Sequence, residues 1–87
     1  MNGLKDFLVR LLSRLPLGKA AGVWIAGGRV GVGRGKIPPA VLSAWADTAA
    51  GAGVRYGCIW VGRHLRFLGV PSEFRQRFRN VWSANVR

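Results

Sequence analysis

The fold of this chain depends most on residues Ala40 to Gly62, which read AVLSAWADTAAGAGVRYGCIWVG. As a helix rising ~1.5 Å per residue, these 23 residues would span the ~30 Å hydrocarbon core of a bilayer. Two charged residues, Asp47 and Arg55, lie within the stretch. Each costs roughly 2.5–3.5 kcal/mol near the bilayer centre, which offsets the gain from the apolar residues. The stretch therefore predicts a transmembrane helix that is stable only inside a complex, where Asp47 and Arg55 form ion pairs with other subunits.

Small residues share one face of this predicted helix, because at 100° per residue their positions cluster. They are Ala46, Ala49, Ala50, Gly53 and Gly57. Gly53 and Gly57 have the spacing of a GxxxG motif, which lets a second helix approach closely in a membrane. This face predicts helix packing against a neighbouring subunit. The segment also fits an Ala/Gly-rich helix that packs inside a soluble protein or against ribosomal RNA.

The whole chain of residues 1–87 is predicted to be a single all-α unit. Residues 1–16 carry an apolar stripe with helical spacing, formed by Leu4, Phe7, Leu8, Leu11, Leu12 and Leu15. This helix fits a membrane surface or a partner subunit, and equally the core of a small soluble bundle. Residues 17–39 form a glycine-rich basic loop, residues 40–68 the central helix, and residues 72–83 a short amphipathic helix. We expect no independent globular core.

The charge balance predicts a polyanionic partner. Lys and Arg total 14 against three acidic residues, which gives a formal charge of +11. Basic residues flank the central segment on both sides, and five positions are predicted to bind lipid phosphates, with cardiolipin as one candidate. They are Arg34, Lys36, Arg63, His64 and Arg66.

The sequence predicts no cofactor, no metal and no enzymatic activity. Gly27 to Lys36 reads GGRVGVGRGK, which matches neither the P-loop nor the dinucleotide fingerprint. The single Cys58 excludes an internal disulfide and a Cys-based zinc site, and the single His64 excludes a bis-His site within the chain. Few acids and no nucleophile–base pair argue against catalysis.

The segment from Gly53 to Gly57, followed by Trp60-Val61-Gly62-Arg63 and Gly69, resembles the small e and g subunits that hold dimers of mitochondrial ATP synthase together. The resemblance covers about a quarter of the chain. It implies contacts between dimers or bending of the membrane, with Gly53 and Gly57 at a helix interface.

Taken together, these features predict a non-catalytic accessory subunit of ATP synthase or a respiratory complex in the inner mitochondrial membrane. Its partners would be other subunits of the complex and anionic lipid. The alternative is a small basic RNA-binding protein, such as an organellar ribosomal subunit, because the charge and the Gly-Arg loop also suit phosphate neutralisation.

Overall fold

The computed structural model describes residues 2–17 and 20–85. Along the chain the elements are α1 (Asn2–Ser13), β1 (Ala21–Ala26), β2 (Arg29–Gly35), α2 (Pro39–Ala52), β3 (Tyr56–Val61), β4 (Leu65–Leu68) and α3 (Ser72–Asn85). The four strands form one antiparallel sheet in the order β2-β1-β3-β4. Helix α1 packs on one face of the sheet, and α2 and α3 cover the other. The molecule therefore has three layers.

The prediction of an all-α chain is wrong, and so is the continuous central helix over residues 40–68. Helix α2 ends at Gly53, whose left-handed backbone (φ 71°) directs its N–H to the carbonyls of Ala49 and Ala50. The next residues form β3, which is rich in aromatic and β-branched side chains. Because β3 is buried on both faces, its sequence is continuously apolar and lacks the alternation that marks a strand.

The predicted loop over residues 17–39 is instead largely the β1–β2 hairpin, although Gly18 and Lys19 lie outside the described residues. The hairpin turns at Gly27 and Gly28, which both have positive φ. Strand β1 is the second strand from one edge and is almost wholly buried. The short apolar run before the glycines is therefore a core strand.

The prediction of a transmembrane helix is wrong. Helix α2 has 14 residues, which is ~21 Å at ~1.5 Å per residue and short of a bilayer core. Across residues 2–17 and 20–85, no helix combines the length and apolarity needed to cross a membrane.

Two ββα units build the main body of the protein. The first is β1–β2–α2 and the second is β3–β4–α3. Each outer strand ends at a glycine with positive φ, Gly35 (80°) or Gly69 (74°). A buried apolar residue and a proline follow each time, as Ile37-Pro38 and Val70-Pro71. The shared turn starts each helix on the same face of the sheet.

The expectation of no independent core is also wrong, because a continuous apolar cluster lies between the sheet and helices α2 and α3. At its centre Trp45 of α2 is fully buried. Its indole Nε1 donates a hydrogen bond of 3.0 Å to the backbone carbonyl of Phe78 in α3. The Trp45 ring also stacks with Trp82 at 6.0 Å between centroids. These contacts tie the first ββα unit to the second.

Candidate functional site

Helix α1 turns its apolar stripe away from its own protein. Leu4 is 64% exposed and Phe7 is 60% exposed. We call the exposed apolar residues of this helix and of the turn after it the outer stripe: Leu4, Phe7, Leu8, Leu11 and Leu15. Among the described residues, the other large exposed hydrophobic side chains are Leu17 and Leu68. The seven side chains together expose roughly 600 Å² of apolar surface, most of it in the outer stripe, and apolar patches of several hundred Å² mark interaction sites.

Helix α1 docks on the sheet through the side opposite the outer stripe. Its direction is parallel to β3, as three contacts show: Lys5 lies over the ring of Tyr56, Val9 contacts Cys58 and Leu12 contacts Trp60. The Cys58 thiol donates to the Val9 carbonyl at 3.2 Å, and Trp60 Nε1 donates to the Leu12 carbonyl at 3.1 Å.

Ser13 is the point of closest approach between α1 and the sheet. It is completely buried, and its hydroxyl donates to the Arg10 carbonyl at 2.7 Å. A Cβ atom on Gly22 or Gly33 would collide with Ser13. The sheet therefore has room for a small residue here and no room for a leucine, which forces the leucines outward.

Basic side chains border the outer stripe. The guanidinium of Arg10 lies 4.1 Å from the centre of the Trp24 ring and pairs with Asp6. Arg10 and Arg14 line a cavity of about 120 Å³ with Phe7 and Leu11. Positive charges are thus held beside apolar side chains on the same surface.

The register of the sheet gathers the five predicted phosphate-binding residues at one end. Ala21 of β1 pairs with Gly35 on one side and with Val61 on the other. The end of β2 and the β3–β4 turn therefore lie at the same end of the sheet, two strand spacings or ~10 Å apart. We call this region the basic sheet end, and it contains Arg34, Lys36, Arg63, His64 and Arg66.

Three members of the basic sheet end share a cavity. Arg63, His64 and Arg66 line about 150 Å³ together with Leu17 and Gly62. Leu17 lies in the turn after α1, two residues from Leu15 of the outer stripe, so this cavity lies near the C-terminal end of the stripe. Arg34 and Lys36 lie outside this cavity, on and just after β2.

The residues of the predicted helix-packing face do not all lie on one helix. Ala46, Ala49 and Ala50 belong to α2, while Gly53 follows that helix and Gly57 lies in β3. Gly53 and Gly57 therefore share no helix, and the GxxxG spacing on which the resemblance to ATP synthase subunits rests has no helical counterpart. Ala49 is buried in the core against the sheet.

Asp47 and Arg55 are both exposed, on α2 and in the loop before β3. Neither has an ion-pair partner among the described residues. Their pairing with other subunits stays a prediction.

Metal-ligating residues are dispersed in the described part of the chain, where no three His, Cys, Asp or Glu side chains come together. Cys58 is buried beneath α1, and burial raises the pKa of its thiol to about 11. At neutral pH the thiol is protonated and donates its hydrogen bond to Val9. Cys58 is a packing residue in this position.

The fold defines a small three-layer α/β protein built from two ββα units. Comparison with protein-family models, with curated proteins and with solved structures finds no match.

Sequence analysis missed the cavity that Arg79 and Trp82 form with the β3–β4 turn. The signal that could have revealed the fold is the recurrence of a glycine shortly before an apolar–proline pair, as Gly35 before Ile37-Pro38 and Gly69 before Val70-Pro71.

Proposed function

We propose that this protein is a non-catalytic module that binds reversibly to the surface of an anionic lipid bilayer. Helix α1 lies in the headgroup region, with its axis along the surface and its outer stripe towards the acyl chains. The observation that carries the proposal is the outward orientation of four large apolar residues on a folded, docked helix, together with Leu15 just after it. This mode of binding needs no membrane-spanning segment.

The energies are those of a reversible contact. Full burial of a Leu or Phe side chain is worth about 1.5–3 kcal/mol, so each half-exposed residue has ~1 kcal/mol left to gain. Basic residues near an anionic surface add about 1 kcal/mol each. Association and side-chain ordering cost about 4–15 kcal/mol. These opposing terms are of similar size, which suits an exchangeable surface protein.

Charge complementarity favours an anionic bilayer over a second copy of the chain. Arg10 and Arg14 border the outer stripe, and Arg66 lines the cavity beside Leu17. Long basic side chains can bury their stems in the interface and keep their charged groups at the phosphates. A dimer through the same face would instead bring together two chains of charge +11.

Nucleic acid is the second candidate partner, and the basic sheet end is the observation that favours it. Phosphate neutralisation needs only exposed Arg and Lys. However, helices cover both faces of the sheet, so the strands offer no open aromatic platform for bases. The outer stripe would also have no role in such a complex. Membership of a mitochondrial energy-converting complex stays a prediction.

The test is co-sedimentation with vesicles of phosphatidylcholine containing about a third phosphatidylglycerol, beside pure phosphatidylcholine vesicles. We expect the protein to bind the anionic vesicles. Replacing two residues of the stripe, as Leu8→Ser with Leu11→Ser, should weaken binding at least tenfold, because the apolar contribution falls by about 2 kcal/mol. The matched control, Leu8→Met with Leu11→Met, keeps the apolar area and should bind like the natural protein.

Two outcomes would contradict the proposal. One is equal binding of the Ser and Met variants, which would leave the outer stripe without a role. The other is no binding of the natural protein to vesicles together with salt-sensitive binding to RNA in a filter assay. In that case the nucleic-acid function would replace the lipid one.

A further inference from the structure

A second cavity opens on the other side of the β3–β4 turn, beneath α3. Its volume is about 200 Å³, and it is lined by Arg63, His64, Leu65, Arg79, Trp82 and Ser83. Leu65 points into the core that α2 and α3 cover, so the cavity belongs to the layer opposite α1. It stays accessible when the outer stripe of α1 faces a surface.

The lining of this cavity suits an anion. Two arginines and one histidine line it, and no Asp or Glu of the described residues does. Neither Arg63 nor Arg79 forms an ion pair with a described acidic residue. Each guanidinium can offer two parallel N–H groups to a phosphate. The Ser83 hydroxyl adds a neutral donor at the rim.

Packing holds two of these groups in place. The Arg79 guanidinium lies 5.3 Å from the centre of the Phe67 ring, and this stacking leaves its N–H edges free to donate. Trp82 stacks on the buried Trp45, so its ring is a fixed wall of the cavity. The last turn of α3 contributes partly negative carbonyls nearby, but Asn85 Nδ2 donates to one of them, that of Val81, at 2.9 Å.

We propose that this cavity binds the phosphate group of a small phosphomonoester, with Arg63 and Arg79 as the main ligands and His64 and Ser83 as additional donors. The size of the cavity limits the ligand, since drug-sized molecules occupy about 300–1,000 Å³. A phosphate with a few carbon atoms fits within about 200 Å³, whereas the sugar and base of a nucleotide would extend beyond the cavity. The site stands independently of the proposed binding to a bilayer.

The test is a titration of the full chain with inorganic phosphate and with glycerol 3-phosphate, followed by two-dimensional NMR at constant ionic strength. We expect the largest shifts at residues 62–65 and 82–83. Arg63→Gln combined with Arg79→Gln should weaken binding at least tenfold. The control, Arg29→Gln combined with Arg55→Gln, removes the same charge at the opposite end of the sheet and should stay within about twofold of the natural protein.

A second variant distinguishes loss of the site from loss of folding. This is needed because Arg79 also packs on Phe67, so its substitution can destabilise the protein. Arg63→Lys keeps the charge of an exposed residue and removes only the bidentate hydrogen bonding of the guanidinium. It should therefore weaken phosphate binding severalfold and leave the melting temperature unchanged. Equal weakening in the Gln pair and in its control, or shifts spread over all basic residues, would overturn the proposal.

Vesicles containing phosphatidic acid separate the two sources of the phosphate. A soluble ligand should occupy the cavity equally well in the Leu8→Ser, Leu11→Ser variant. If only vesicles, and neither soluble phosphate, shift residues 62–65 and 82–83, the site for a small soluble phosphomonoester is refuted. Failure of the bilayer proposal would appear separately, as loss of binding to phosphatidylglycerol vesicles with phosphate binding retained.

Discussion

At the scale of single residues, Trp45 joins the two ββα units. It is fully buried, and its indole donates to the Phe78 carbonyl across the α2–α3 contact. Trp45→Phe removes the hydrogen bond and leaves a small cavity, so we expect a loss of about 2 kcal/mol in the free energy of unfolding. Urea denaturation measures this loss of unfolding free energy. The control is Trp82→Phe, at a half-buried ring whose substitution should cost less than ~1 kcal/mol; equal losses would contradict the role of Trp45.

Gly22 decides how α1 sits on the sheet. A methyl group there meets the Ser13 carbonyl, and backbone cannot yield as a flexible side chain can. We expect Gly22→Ala to destabilise the protein by about 2 kcal/mol and to make Cys58 react faster with a thiol reagent. Gly51→Ala is the control, because Gly51 lies in α2 with open space around it. That substitution should stabilise the protein by roughly 0.5–1 kcal/mol and leave Cys58 unreactive.

Phe7 illustrates what residue patterns can predict. The spacing of the apolar residues in α1 correctly indicates an amphipathic helix, since Asn2–Ser13 is helical. It says nothing about which face meets the protein. The face that meets the sheet is set by Gly22 and Gly33, which are distant from α1 in sequence. Ser13 lies so close to both glycines that no larger side chain fits at this contact.

At the scale of elements, the docking of α1 on β3 should depend on pH through Cys58. Burial raises the thiol pKa from 9.0 to about 11 in the folded protein. The folded state therefore holds its proton more tightly than the unfolded state. This contribution is complete below pH 9 and is lost as the pH rises through about 11. It amounts to roughly 2 kcal/mol.

Urea denaturation between pH 8 and pH 11.5 measures this effect, and Cys58→Ala is the reference because it removes only the thiol. We expect the natural protein to lose stability relative to Cys58→Ala across this range. Parallel pH profiles of the two proteins would show that the thiol is accessible and that α1 is not firmly docked.

The central segment shows where prediction by element fails. Residues 40–52 are helical, as their sequence indicates, but the apolar run at Tyr56–Val61 is a strand. A short buried strand and a helix segment have the same hydrophobic pattern. The left-handed backbone at Gly53 separates the two elements. A glycine in an Ala-rich segment does not by itself predict that the helix ends there.

At the scale of the whole molecule, basic residues that are far apart in sequence meet at one end of the sheet. Arg34 and Lys36 come from the first ββα unit, and Arg63, His64 and Arg66 from the second. The antiparallel pairing of β1 with both neighbours brings these segments together. The choice of these five residues came from the sequence, but their grouping follows only from strand order.

The two proposed surfaces lie on opposite layers of this molecule. The outer stripe belongs to α1, whereas the Arg63–Arg79 cavity lies beneath α3. A protein of this arrangement can lie on an anionic bilayer and bind a small phosphate at the same time. The tests above separate the two activities because their variants share no residue.

By itself, the sequence determined the charge of +11, the amphipathic character of α1 and the start of a helix after Pro38. These properties depend on composition or on neighbours within a few positions. Only the tertiary structure decided that the apolar stretches are strands, that no described helix crosses a membrane and that the stripe of α1 faces outward. The physical reason is that strand pairing and close packing at Gly22 and Gly33 join residues remote in sequence, and such contacts leave no local pattern.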